Sequence, residues 1–341
     1  MYPAINTATS MTAKTTLKTR EVNYVRVNRD QAGRRVDNLL VSLLADVPKS
    51  RIYRMLRRGE VRINGRRVRP EARVSEDDLL RLPPLHLEAP LSRPTVSSGR
   101  EQFLRGLLLH EDNELIVVNK PAGMAVHGGS GLRFGLIDEL RAARSEGEFL
   151  ELAHRLDRDT SGCLIIAKDM RTLRRLHDAL RAGLIAKSYV TLARGQWSGG
   201  TRTISLALKK NVRRGGERIV TVDPEGKAAV TRFGLRQQFR GACLLTVELG
   251  TGRTHQIRVH AAQAGFPIAG DQKYGEPAFN ACLHRYGLRR LFLHAARVGI
   301  PRTNNRQPLV VEAPLPPDLE AIIGKLATET SGACDNDLTQ A

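Results

Sequence analysis

The sequence predicts an α+β protein of two units, and three observations carry that expectation. A compact basic module with two helical patterns and a hairpin signal occupies Gly33 to Leu82. A stretch with four prolines follows at residues 83–100. Beyond it, many short apolar runs alternate irregularly with fewer helical patterns, which argues against a doubly wound parallel sheet.

The module begins with Val36, Leu39, Leu40, Leu43 and Leu44, whose spacing of three and four suits one face of a first helix. Pro48 breaks it, Ser50 is placed to cap a second helix, and Gly59 to end that helix after Arg51 to Arg58. Within this helix Ile52, Met55 and Leu56 share one face, while Arg51, Arg54 and Arg58 share another. Val61 and Ile63 then alternate with polar residues up to Asn64-Gly65, and Arg66-Arg67-Val68 resumes, which is the signature of a tight hairpin. Between Gly33 and Leu82 the module carries 13 basic against 7 acidic residues, an excess that suits phosphate contact. These fifty residues resemble the small RNA-binding module first described in ribosomal protein S4.

Pro83 to Arg100 shows no sustained periodicity and is expected to be a linker, extending over residues 83–104. The larger domain, residues 105–325, opens with the β-branched run Leu115 to Val118. Further strands are expected at Cys163 to Ala167, Ser188 to Ala193, Ala228 to Gly234, Ala242 to Leu249 and around Phe292. Helices are expected at Gly135 to Arg144, Met170 to Ala182 and His255 to Ala264. The ends, residues 1–24 and 326–341, are expected to be disordered tails, with the S4-like module spanning residues 25–82.

A formal net charge of +19 makes a polyanion the default partner, and nucleic acid the first choice. No apolar run approaches the roughly 18 residues of a spanning helix, so membrane is not expected as a partner. Cys163, Cys243, Cys282 and Cys334 lie far apart and suggest neither a zinc site nor a disulfide framework. A reducing cytoplasm is the expected location. The N-terminal stretch lacks the pattern of a secretory signal, although its acid-poor character also permits a transit peptide.

Chemistry concentrates in His154-Arg155-Leu156-Asp157-Arg158-Asp159-Thr160-Ser161-Gly162. Asp159 through Gly162 suit a turn in which side chains satisfy backbone donors and Gly162 is left-handed. Asp157, flanked by Arg155 and Arg158, can stay ionised beside RNA and act as nucleophile or base. A second cluster runs from Gly250 to His260, where Thr254 is placed to cap a helix and Arg258 to hold a carboxylate from elsewhere. His255 and His260 do not match a metalloprotease motif, and no metal site is expected. Tyr189, in Lys187-Ser188-Tyr189, is either a core residue or an aromatic floor for an extruded base. With 4% aromatic residues, recognition by backbone shape and charge is expected rather than by stacking sheets.

These runs, followed by Gly270-Asp271 and Tyr274-Gly275, resemble the RluA-type pseudouridine synthases in order and spacing. Val47 to Tyr53, Ala125 to Gly131 and Arg194 to Trp197 are similar to the family's C-type large-subunit branch. The resemblance spans residues 25 to 320. It implies an S4-like module joined to a catalytic domain with a mixed, mainly antiparallel sheet, acting on uridines of 23S ribosomal RNA or a large-subunit precursor. It assigns Asp157 as catalytic aspartate, Tyr189 as base-stacking residue and Arg258 as the arginine paired with the aspartate. Isomerisation of uridine moves no atoms in or out, so no cofactor is expected. The nucleotide is expected to be flipped, with Arg155 filling the vacated space and Arg51, Arg54 and Arg58 touching RNA. The protein is expected to act as a monomer. The rival expectation is a non-catalytic ribosome-assembly factor that binds the same RNA.

Overall fold

The computed structural model describes residues 21–329, apart from 30, 45, 46, 48, 85–95, 129–133, 145–147, 213–217 and 303–306. The chain divides into two compact units, Met1–Arg93 and Pro94–Ala341. Most of the two expected tails, Pro48 and the middle of the expected linker lie outside the described residues.

The first unit contains β1 (Asn23–Arg26), α1 (Val36–Leu43), α2 (Lys49–Arg58), β2 (Arg62–Ile63), β3 (Arg66–Arg67) and β4 (Leu79–Leu82). The strands form one antiparallel sheet in the order β1-β4-β2-β3. Val36, Leu39 and Leu40 of α1 meet Ile52, Met55 and Leu56 of α2 in a core shared with Leu80 and Leu82. The spacing of three and four therefore marks the buried face of both helices. Asn64 (φ +48) and Gly65 (φ +78) turn the chain between β2 and β3, the backbone that an Asn-Gly hairpin requires. Helix α2 starts at Lys49, so Ser50 lies inside the helix and not before it. Strand β1 reaches into the expected tail because Asn23 and Val25 are buried where β1 pairs with β4.

The second unit opens with α3 (Ser98–Gly106), β5 (Leu108–Glu111), β6 (Leu115–Lys120), α4 (Leu136–Ala142), β7 (Glu151–Leu152) and β8 (Ser161–Ala167). It continues through α5 (Met170–Arg181), β9 (Ala186–Arg194), β10 (Arg202–Ser205), β11 (Leu208–Val212), β12 (Arg218–Val222), β13 (Val230–Phe239) and β14 (Ala242–Leu249). The last elements are α6 (Gln256–Gln263), α7 (Pro277–Arg285), β15 (Leu293–Ile300), β16 (Leu309–Glu312) and α8 (Pro317–Glu329). Ten strands form one sheet in the order β10-β13-β14-β9-β15-β8-β6-β5, with β16 beside β15 and β7 beside β8. Among the described residues only the β15–β8 junction is parallel, so the sheet is mixed and mainly antiparallel and the α+β class holds. Hairpin β11–β12 stands as a separate two-stranded sheet.

Both faces of the central strands are buried, which explains their uninterrupted apolar runs. In β8, Leu164 and Ile166 join the core under α4 and α6, while Cys163, Ile165 and Ala167 join the core under α5. On β9, Tyr189 and Ala193 face the same side as Leu164, whereas Val190 and Leu192 pack with Phe279, Leu283, Leu319 and Ile322 of α7 and α8.

Two boundaries move. Ser97 is an N-cap whose hydroxyl accepts from Arg100 N at 3.4 Å, so the Ser-Gly stretch read as linker begins α3, and Leu104 buries that helix. Helix α8 continues to Glu329 into the expected C-terminal tail, because Leu319, Ile322 and Leu326 repeat at helical spacing against the sheet.

Candidate active site

The loop from Ala153 to Thr160 joins β7 to β8 and is fastened from three sides. Ile165 N donates to His154 Nε2 at 3.1 Å, which makes that ring nitrogen an acceptor. Burial lowers the His154 pKa to about 4, in agreement with a neutral ring. Lys120, at the end of β6 and fully buried, donates from Nζ to Pro121 O, Met124 O and Arg158 O at 2.8, 2.8 and 2.9 Å. Three carbonyls match the three N–H bonds of an ammonium, although burial pushes the Lys120 pKa down to about 7. Gly162 closes the loop at φ +108, and a Cβ there would stand 2.2 Å from Ala295 O on β15. Only glycine fits so close to the neighbouring strand.

This loop brings Asp157 to the edge of a cleft of about 420 Å³ with Tyr189 in its wall. Its guanidinium neighbours in sequence are not its partners. Arg158 pairs with Asp159 at 3.2 Å, and Arg155 is exposed at the cleft rim. The loop is irregular, so consecutive side chains point apart. The groups beside Asp157 come instead from the start of α6: the Arg258 guanidinium, with Nη1 3.5 Å from Asp157 Oδ2, and the His255 imidazole, with Nε2 3.8 Å from the same oxygen.

Arg258 is itself held. Its Nε and Nη2 donate to Asp271 Oδ2 and Oδ1, both at 2.7 Å. Asp271 also accepts from the backbone N–H groups of Lys273 and Tyr274 at 2.9 and 3.1 Å. Burial works to raise the Asp271 pKa, but Arg258 and these N–H groups outweigh it and hold the carboxyl below its ordinary value. Burial likewise opposes the Arg258 charge, and Asp271 and Asp157 reverse that, so its pKa is raised.

Thr254 does not cap α6. His255 occupies the cap position with φ +53 and makes no side-chain cap bond, and Gln256 fastens the loop by accepting from Arg253 N at 2.9 Å and donating to Val230 O at 2.9 Å. Tyr189 is 6% exposed and lines the cleft. Burial first, and then the charge of Asp157, raise its pKa, so its hydroxyl stays protonated. That hydroxyl has no hydrogen-bond partner among the described residues.

The cleft thus unites Asp157, Tyr189, Arg258 and, at its rim, Arg155. Arg51, Arg54 and Arg58 belong to the first unit. There Arg51 and Arg58 approach Glu60 at 3.7 and 3.8 Å, while Arg54 is exposed and has no ion pair among the described residues. Sequence reasoning gave no role to Lys120, Asp271, His255 or Tyr274. A lysine closing an apolar strand before Pro121, and an aspartate and tyrosine three residues apart between glycines, were the available signals.

A carboxylate–arginine constellation in a cleft, on a mixed sheet, together with a strongly basic first unit, suits an enzyme that acts on a polyanion, and the comparisons give the class. The chain belongs to the pseudouridine synthase family. The RNA pseudouridylate synthase family model matches residues 114–263, and the S4 domain model matches residues 34–80. Among relatives, Ribosomal large subunit pseudouridine synthase C of Yersinia pestis is 47% identical over 296 residues, covering 86% of this chain and 92% of the relative. The Escherichia coli K12 protein of the same name is 45% identical over 313 residues, covering 91% and 98%. In fold, the chain is similar to human RNA Pseudouridylate Synthase Domain Containing 4, with a TM-score of 0.54 at 23% identity over 67% of this chain and 96% of that one. Among the described residues no helix is long and apolar enough to cross a membrane.

Proposed function

We propose that this protein isomerises specific uridines of 23S ribosomal RNA to pseudouridine, with Asp157 as the catalytic carboxylate. The observation that supports the reading is an aspartate held at the edge of a cleft, with one oxygen 3.5 Å from a buried arginine and a protonated tyrosine in the wall. The relatives' name supplies the substrate class.

The reaction breaks the bond from uracil N1 to ribose C1′, turns the base, and joins C5 to C1′. The C5 proton leaves and N1 gains one, so composition is unchanged and no redox or group-donating cofactor is required by the balance. Asp157 either attacks C1′ or removes a proton from C2′ to give a glycal. In both routes Arg258 holds the carboxylate in place and Tyr189 offers a flat face to the detached base. Because the reacting atoms are inaccessible in stacked RNA, the nucleotide is flipped into the cleft, and Arg155 at the rim is positioned to fill the space it leaves. The net charge of +19 and the arginines of α2 supply affinity for the phosphate backbone. The protein acts as a monomer in the cytoplasm on 23S RNA or a large-subunit precursor.

The test incubates the protein with unmodified 23S transcript fragments and maps pseudouridine by carbodiimide treatment and primer extension. Stops that appear with wild type and vanish with Asp157→Asn are expected. Tight RNA binding without stops from either protein would favour a non-catalytic assembly factor.

A further inference from the structure

Tyr274 lies outside the three residues assigned to the reaction, yet its hydroxyl joins two parts of the molecule. It accepts from Val220 N on β12 at 2.8 Å and lies 2.8 Å from His255 Nδ1. The underside of its ring carries the Arg258 guanidinium at 5.1 Å. His255 adopts a left-handed backbone (φ +53, ψ +17) that residues with a Cβ rarely take up. That backbone holds its ring between Tyr274 and Asp157.

The second bond of the hydroxyl favours one tautomer of the ring. The Tyr274 oxygen already accepts from Val220, and its own proton has no other acceptor among the described residues than His255 Nδ1. A ring that accepts at Nδ1 and is neutral carries its hydrogen on Nε2, the atom 3.8 Å from Asp157 Oδ2. Burial, then Arg258 and Lys273, oppose a charge on this ring, while Asp157 and Asp271 favour one; the net effect lowers its pKa, consistent with the neutral form.

We propose that Tyr274 is a positioning residue: through its hydroxyl it fixes His255 as the Nε2–H tautomer aimed at Asp157 and ties hairpin β11–β12 to the reaction centre. The inference rests on the proposed isomerisation for its kinetic consequence, but the tautomer stands apart from it. Hairpin β11–β12 is a separate two-stranded sheet that meets the rest of its unit at a bridge between Leu208 and Lys227 and through Leu208 and Val220, which pack with Ala229 and with Val259 of α6.

Two measurements test it. Long-range proton–nitrogen correlation spectra of the wild-type protein at neutral pH, with the signal assigned by its loss in His255→Gln, read the tautomer directly and need neither RNA nor a Tyr274 variant. A neutral ring protonated at Nε2 is expected; Nδ1 protonation or a charged ring overturns the proposal even if the protein makes pseudouridine. The second compares single-turnover rates of wild type, Tyr274→Phe, His255→Gln and the double variant on a 23S fragment that wild type modifies. Tyr274→Phe is expected to slow the step about tenfold with RNA affinity kept within about threefold, and the double variant to be no slower than the slower single one. Effects that multiply, or a Tyr274→Phe rate equal to wild type, overturn it. Absence of any product with wild type would instead count against the isomerisation itself.

Discussion

Arg258 reaches Asp157 through Nη1 alone, because Nε and Nη2 are both committed to Asp271. A planar fork with three nitrogens can hold one carboxylate bidentately and reach a second, a geometry that the compact ammonium of a lysine does not reproduce. Arg258→Lys is therefore expected to lower the single-turnover rate by about 100-fold while RNA binding changes little. Asp271→Ala leaves a buried guanidinium half-paired and is expected to cost about 3–5 kcal/mol of stability, read by urea unfolding. An Arg258→Lys enzyme with near-normal turnover would remove Arg258 from its orienting role.

Tyr189 is expected to act through its ring. Tyr189→Phe keeps the flat face and should retain most RNA-bound affinity for the flipped base. Tyr189→Leu should lose about 1–3 kcal/mol of it, seen as a 10- to 100-fold fall in kcat/KM. Equal losses in both variants would mean that the hydroxyl, not the face, matters.

Acid should loosen the catalytic loop. The ordinary pKa of histidine is 6.5, and that of His154 is lowered to about 4. Between these values the unfolded chain binds a proton that the folded chain refuses, so stability present above pH 6.5 declines progressively towards pH 4. Protonation also takes away the acceptor for Ile165 N. Amide exchange at Ile165 should accelerate over this range, and His154→Gln should flatten the acid slope of global stability; an unchanged slope would assign the acid loss to other groups.

On the first unit, Glu60 stands within 4 Å of Arg51 and Arg58 but is not paired with Arg54. Glu60→Gln is expected to strengthen RNA binding and steepen its salt dependence. Arg54→Ala is expected to weaken binding and reduce the slope of log K against log salt by about one. Binding titrations at several salt concentrations decide this, and a slope untouched by Arg54→Ala would take α2 off the RNA surface.

Much of this architecture was legible because periodicity reports burial. The run Ala242 to Leu249 is a strand with the expected bounds, and Val36, Leu39 and Leu40 lie in the core as their spacing implies. The family motifs likewise led to the cleft, since Asp157, Tyr189 and Arg258 do share it. The partnerships inside it were less legible. Arg258 was expected to hold a carboxylate brought from elsewhere, but nothing local marks Asp271 as its main partner or sends Arg158 to Asp159. Those pairings depend on how a loop and a helix start approach each other in space. Helix α7 was missed although Phe279, Cys282 and Leu283 carry its apolar face, and Pro277 at its first turn was the readable start signal.

The close seat of Gly162 against Ala295 also bears on synthesis. Ser161 Oγ lies 2.9 Å from His294 Nδ1, a contact between residues 133 positions apart. The segment that follows Asp157 can dock against its neighbour only after β15 has left the ribosome. At roughly 5–20 residues per second that interval is on the order of ten seconds. The sheet beneath the Asp157 loop is therefore completed only once β15 has emerged.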